Sequence, residues 1–211
     1  MVFSDRKEAG RVLGEYIKDK LEKVDLVLGI PRGGVVVAKE VAKVLGVPFN
    51  LLIVRKLGVP SSPELAFGAI DPEGRIYTDS WTVEYFRLSQ EVIEKVAREE
   101  LERIRERERK FLKDRPLEVK DKVVLVVDDG IATGQTVRAG VEYLKRKGAI
   151  RVIVAVPVCP GETVKKLGLY ADEFYCYHVS EESPFAVGMF YKDFRQVEDE
   201  EVEELLKDGV L

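Results

Sequence analysis

Apolar positions along the chain follow two spacings. Short runs rich in β-branched, Leu or aromatic residues fall at 24–30, 48–54, 122–127, 151–158 and 173–179. Runs of this length and composition predict strands, and the unbroken ones suit burial on both faces of a parallel sheet. Between them the period switches to the helical one. Ala9, Val12, Leu13, Tyr16 and Ile17 predict a helix over 5–21 that Ser4 can cap, and further helices are predicted over 35–45 and 162–169 and from near Gly134. Ser89 caps a long helix reaching about Lys113, with a thin stripe at Val92, Val96, Leu101 and Ile104. Its i,i+4 pairs are Glu91 with Lys95, Glu94 with Arg98, and Glu99 with Arg103.

Two stretches break the alternation. LGVPSSPELAFG, residues 57–68, is rich in Gly, Pro and Ser and predicts a mobile loop over the end of the sheet. AIDPEGRIYTD after it predicts a hairpin turned at residues 71–74. Strands joined by crossover helices imply an α/β fold: a doubly wound, mainly parallel five-stranded sheet with an antiparallel hairpin at its edge. In such a sheet the ligand crevice lies where strand order reverses, so the strands ending at Ile30 and Val127 are expected to be neighbours there.

Chemistry concentrates at those two strand ends. The central stretch reads KVVLVVDDGIATGQTVRAG: a strand, the acidic pair Asp128 and Asp129, a small loop and a helix opening. Glycines admit close approach of backbone N–H groups to an anion, Thr133 and Thr136 add hydroxyls, and the helix N-terminus adds unpaired donors and its positive dipole end. That loop suits a phosphate, whereas the carboxylates would repel one and suit sugar hydroxyls or a metal-bearing group. Together they describe a phosphorylated sugar. The other bend, GIPRGG, offers the N–H groups of Gly33 and Gly34 and the planar donor fork of Arg32. Arg55 and Lys56 end the second strand, where a flexible segment would close on an anionic substrate.

A Walker loop is excluded, because the glycines of the central loop are four apart and Gln135 stands where its lysine belongs; G-x-G-x-x-G is absent. Lys plus Arg number 34 against 38 Asp plus Glu, a net charge of -4, so no global basic field points to nucleic acid. The Arg-rich RIRERERK is nearly cancelled by its own glutamates and reads as a solvated helix or a dimer contact. Cys159 and Cys176 lack C-x-x-C spacing and read as buried free thiols in a reducing compartment. No apolar run approaches 18 residues and the amino terminus lacks the apolar core of a signal peptide, so a cytoplasmic protein without a membrane segment is expected. A single Asn with abundant Lys and Glu leans towards a thermophilic source. At 211 residues the chain suits one domain, 1–211.

The ordered string of apolar strand, two acids, three loop residues and T-G-x-T resembles the 5-phosphoribosyl diphosphate (PRPP) signature of the type I phosphoribosyltransferases. That resemblance implies transfer of the phosphoribosyl group of PRPP to a nitrogen acceptor. It assigns ribose recognition to Asp128 and Asp129, and the 5′-phosphate to Ile131, Ala132, Thr133, Gly134, Gln135 and Thr136. Diphosphate falls to Arg32, Gly33, Gly34, Arg55 and Lys56, in a bend that carries a cis peptide in the family. Magnesium is expected to travel with PRPP rather than in a protein metal site, and a homodimer is expected. SPFAVGMFYKDF resembles the hood of the hypoxanthine-guanine branch, with 179–211 and part of the amino terminus as hood. Phe185 would then stack on a base, Ala186 would offer backbone groups, and Asp193 would lie near its far edge. Ala132 replaces that branch's loop aspartate, and Val156, Pro157 and Val158 stand where it has a base-reading lysine. Like the adenine branch, which keeps its carboxylate in the mobile loop, this chain offers Glu64 for proton handling. Three readings stay open: transferase, PRPP-sensing regulator, and phosphoribosyl hydrolase or other sugar-phosphate enzyme.

Overall fold

The computed structural model describes residues 2–113 and 115–207. In chain order the elements are α1 (Arg6–Ile17), β1 (Leu26–Gly29), α2 (Gly33–Leu45), β2 (Phe49–Leu51), β3 (Arg55–Val59), β4 (Ser62–Ile70) and β5 (Ile76–Thr78). There follow α3 (Ser80–Tyr85), α4 (Gln90–Arg107), β6 (Val123–Val127), α5 (Gln135–Arg146), β7 (Arg151–Pro160), α6 (Gly161–Leu167), β8 (Glu173–Ser180) and α7 (Asp199–Lys207). A parallel sheet of order β2-β1-β6-β7-β8 forms the platform, and β3-β4-β5 form a second, antiparallel sheet. Strand order reverses between β1 and β6, as the doubly wound reading requires.

Side-chain alternation splits the core in two. Val27, Leu125, Val127, Ile153 and Ala155 pack on the face that carries residues of α1, α2, α4 and α7. Leu28, Val124, Val126, Val152 and Val154 pack on the other, with Val137, Val141 and Leu144 of α5 and Leu167 of α6.

Four local expectations need correction. The segment 57–68 is no free loop: Leu57, Val59 and Phe67 are fully buried, and β3 pairs with β4 through a bulge around Gly58. Its Gly, Pro and Ser mask an apolar set that the core claims. The hairpin at 71–74 forms, but it joins this second sheet rather than the platform's edge. Asp5, not Ser4, caps α1 by accepting the Glu8 N–H, while Ser4 donates to the Glu8 carboxylate, and the helix stops at Ile17, its last buried position. On α4, capped by Ser89, the buried face is Ile93, Ala97 and Ile104; of the expected stripe Ile104 is buried, whereas Val92, Val96 and Leu101 are only half-buried. A π-turn, Glu108–Leu112, continues it and buries Phe111.

Asp71 organises the second sheet. Fully buried, it accepts from the Glu73 and Arg75 N–H groups at 2.9 and 3.0 Å and from the Tyr77 hydroxyl at 3.2 Å, and it pairs with Arg146 of α5. Asp71→Ala orphans these donors and is expected to cost about 3 kcal/mol of unfolding free energy, checked by denaturant titration. Among the described residues no helix is long and apolar enough to cross a membrane.

Candidate active site

The first bend meets the acidic pair because their strands are neighbours in register. Gly29 of β1 lies opposite Val127 of β6, and the Ile30 N–H reaches the Val127 carbonyl at 3.3 Å. After β1 the chain turns through a cis Pro31–Arg32 peptide, as the family resemblance implies, into α2. The approach to the acidic pair is close. A Cβ on Gly33 would stand 2.4 Å from Asp129 Oδ2, and one on Gly34 would stand 2.8 Å from Asp128 Oδ1. Backbone atoms of Asp128 and Val127 stand behind Gly34, so space requires glycine there, whereas around Gly33 the neighbours are the ends of the Asp129 and Arg6 side chains. No side chain caps the first turn of α2.

The central loop is pinned at its back. The Ile131 N–H donates to the Val158 carbonyl at 3.1 Å, and the Thr163 hydroxyl of α6 donates to the Ala132 carbonyl at 2.7 Å. Gly134 takes φ 81, which glycine alone adopts without strain, and α5 starts there with no side-chain cap. Its first-turn N–H groups stay available to an anion. Ile131 is core packing, Ala132 and Thr133 are exposed, and Gln135 and Thr136 are half-buried. A cleft of about 390 Å³ borders Thr133, Gly134 and Gln135, with Arg138 and Lys166 on its walls.

The acidic pair is held from three directions, two at its carboxylates and one at its backbone. Asp128 Oδ1 accepts the Asp129 N–H at 2.8 Å, Arg6 Nε donates to Asp129 Oδ2 at 2.9 Å, and the Tyr191 hydroxyl donates to the Asp129 carbonyl at 2.6 Å. Burial, then the neighbouring Asp129 charge, pushes the Asp128 carboxyl well above the usual carboxylate range. Burial also raises Asp129, though Arg6 works against it. Burial and the two carboxylates raise the Tyr191 phenol, which stays a neutral donor.

Of the expected diphosphate ligands, Arg32 Nη1 lies 3.5 Å from Asp199 Oδ1, Arg55 Nε lies 2.8 Å from Glu100 Oε2, and Lys56 is exposed. Glu64 is exposed near the β3–β4 turn, with no hydrogen bond or ion pair to the described residues. The segment expected to form the hood meets the amino-terminal residues: Phe3 bridges Tyr191, and its N–H donates to the Phe190 carbonyl at 2.7 Å. Phe185 stacks on Phe190 with ring centroids 5.5 Å apart, Ala186 is exposed, and a Cβ on Gly130 would strike Val187. The hood thus abuts the residue that follows the acidic pair. Asp193 is exposed and accepts the Arg195 N–H. Arg6 and Tyr191 escaped the sequence reading because nothing local links them to Asp129, although the hood match included Tyr191.

Known proteins resemble this arrangement. Two Mycobacterium tuberculosis proteins, both named "Putative phosphoribosyl transferase", are 41% identical over 203 residues, 95% of this chain. The chain spans about half the length of these curated relatives, 45%. The crystal structure of TT1426 from Thermus thermophilus matches with TM-score 0.81 and 37% identity over the whole of both chains. APRTase from Giardia lamblia, solved with 9-deazaadenine, matches with TM-score 0.51 and 16% identity over 84% of this chain and 80% of that one, a likeness of fold alone. The family model described as "Phosphoribosyl transferase domain" matches residues 5–195. On these matches, with the first bend seated against the signature's acidic pair, the chain belongs to the phosphoribosyl transferase domain family.

Proposed function

We propose that the protein transfers the 5-phosphoribosyl group of PRPP to a ring nitrogen of a nucleobase and releases diphosphate. The observation that carries this is the close seating of the Arg32 to Gly34 bend against the Asp128–Asp129 pair, which opens the loop that runs on to Thr133 to Thr136. Their separation of roles follows from charge. The bends offer N–H donors and a guanidinium to phosphate oxygens at both ends of the substrate, and the carboxylates accept the ribose hydroxyls between them.

In the transfer, the bond from C1 to diphosphate breaks and its electron pair leaves with the diphosphate. A bond from C1 to the acceptor nitrogen forms, and the proton of that nitrogen departs. Backbone donors at Gly33 and Gly34, with Arg32 and Arg55, stabilise the charge growing on the leaving group. The ionised Asp128 and Asp129 favour positive charge on the sugar. Magnesium enters as part of the substrate: diphosphate and ribose oxygens are the hard ligands it prefers, and the two carboxylates beside them suit such an ion. Phe185 supplies the stacking surface for the base and Ala186 its backbone groups. The β3–β4 arm carries Glu64 towards the departing proton when it closes.

A second reading, a PRPP sensor without turnover, is favoured by Ala132 and by Val156, Pro157 and Val158 at positions where base-reading groups stand in relatives of this fold. Calorimetry with magnesium and PRPP, followed by diphosphate release across a panel of bases, decides. The transferase reading expects binding and base-dependent release. Binding without release for any base leaves the sensor, release without a base leaves a hydrolase, and absence of binding removes all three.

A further inference from the structure

Helix α4 turns a row of charge towards the first bend. Glu100, Arg103, Arg107 and Lys110 are spaced by three, four and three residues, so they share one side of the helix and of the π-turn that extends it. At one end Glu100 holds Arg55 and Arg103. At the other, Asp199 of α7 holds Lys110 Nζ at 3.2 Å and Arg32 Nη1 at 3.5 Å. Arg107 falls between these two groups. It is half-buried, and it makes no hydrogen bond or ion pair to the described residues.

A half-buried guanidinium without a hydrogen bond or ion pair is costly, because it gives up water, and the more distant charges of Asp199 and Glu100 return only part of that cost. Burial, then the charges of Arg55 and Arg32, lower its pKa to about 10. It remains a cation at neutral pH, beside two of the groups assigned to the diphosphate. Glu100 and Asp199 already offset those two, and neither carboxylate reaches Arg107 within ion-pair distance. The cluster therefore suits an added polyanion with oxygens enough for three planar forks. The wide turn that begins just after Arg107 is of a kind that recurs at functional sites.

We propose that Arg107 binds the diphosphate of the substrate, completing with Arg32 and Arg55 a three-guanidinium clamp on the leaving group. The inference rests on the PRPP reading above for its ligand. It adds a residue from a helix that lies outside both phosphate-binding bends. On binding, Asp199 and Glu100 yield their guanidinia in part to the diphosphate oxygens.

The test is calorimetry on the full chain with inorganic diphosphate and magnesium and with ribose 5-phosphate, and on the parent also with PRPP and magnesium. The variants are Arg107→Gln, Arg107→Lys and, as a control on the adjoining exposed turn, Arg109→Gln. Arg107→Gln is expected to weaken diphosphate about 30-fold and to leave ribose 5-phosphate unchanged, with Arg107→Lys intermediate and Arg109→Gln like the parent. Equal diphosphate affinity in the parent and Arg107→Gln overturns the clamp while leaving the PRPP reading intact. An equal loss of both probes in Arg107→Gln and Arg107→Lys, with lowered melting midpoints, assigns Arg107 a structural role and also overturns it. A parent protein that binds neither diphosphate nor PRPP sinks both readings. Diphosphate binding that depends on Arg107 without PRPP binding keeps the clamp and discards the transferase.

Discussion

Asparagine at both 128 and 129 is expected to lower kcat/KM for PRPP by about a thousandfold or more, since hydrogen bonds to charged groups contribute about 1.5–3 kcal/mol each and two are weakened. Steady-state diphosphate release measures it, and full activity in the double variant would remove the ribose assignment. Stability should move the other way for the first residue. A carboxyl whose folded pKa is raised is at its most favourable when protonated. Its contribution is intact below the usual carboxylate range and is lost as pH rises through the raised value. Above the usual carboxylate range the folded protein thus carries the cost of holding Asp128 where burial disfavours its charge. Asp128→Asn lifts that cost and keeps an oxygen for the Asp129 N–H, so it should gain about 1 kcal/mol at pH 7.5, with the gain shrinking towards pH 4. Asp129→Asn should show no such gain, because it strips Arg6 of its partner. Denaturant titrations of each single variant at both pH values check the signs. A parent protein stabilised by Asp128 at pH 7.5 would contradict the burial argument.

Gly34→Ala is expected to cost about a hundredfold in kcat/KM, the scale at which a misplacement near 1 Å is felt. Its Cβ would meet Asp128 Oδ1 at 2.8 Å, the Asp128 Cα at 3.2 Å and the Val127 carbonyl at 3.3 Å. Two of these belong to backbone at the end of β6, so the first bend must back away from the acidic pair. Gly46→Ala separates this from any general effect of losing a glycine. Gly46 sits at φ 70 with open space around it, so alanine there should cost about 1 kcal/mol of stability and leave turnover intact. Equal turnover losses in the two variants would show that close packing against Asp128 is not what Gly34 provides.

The parts of the site that were legible in the sequence are the parts made by neighbours in sequence. Strand, acidic pair, loop and helix follow one another from Val123 to Thr136, so the order of residue types carries the geometry. Convergence with the Arg32 bend was legible too, because strand-order rules for crossover connections leave few places for β1 and β6. What escaped is what the tertiary fold alone brings together. Arg6 meets Asp129 across 123 positions, and no periodicity encodes that. Arg107 lay in a stretch whose alternating charges looked self-cancelling, yet the helix sorts them so that Arg107 faces Arg55 and Arg32. The β3–β4 arm was misread because Pro60, Ser61 and Pro63 suggest a loop, whereas Leu57, Val59 and Phe67 have a core to enter. On α4 the core took Ile93 and Ala97, leaving Val92 and Val96 to line a cleft beside Arg55.

Among the described residues the platform and the arm share a core but no ladder, since β3, β4 and β5 pair with one another and not with the platform. Their union is made by buried side chains such as Leu57 and Phe67 and by the Asp71–Arg146 pair. Contacts of that kind let a unit open without unzipping its neighbour. Amide protons of the arm should then exchange with solvent through a subglobal opening that leaves those of β1 and β6 protected, which makes the segment that carries Arg55 and Lys56 the first part of the molecule to breathe.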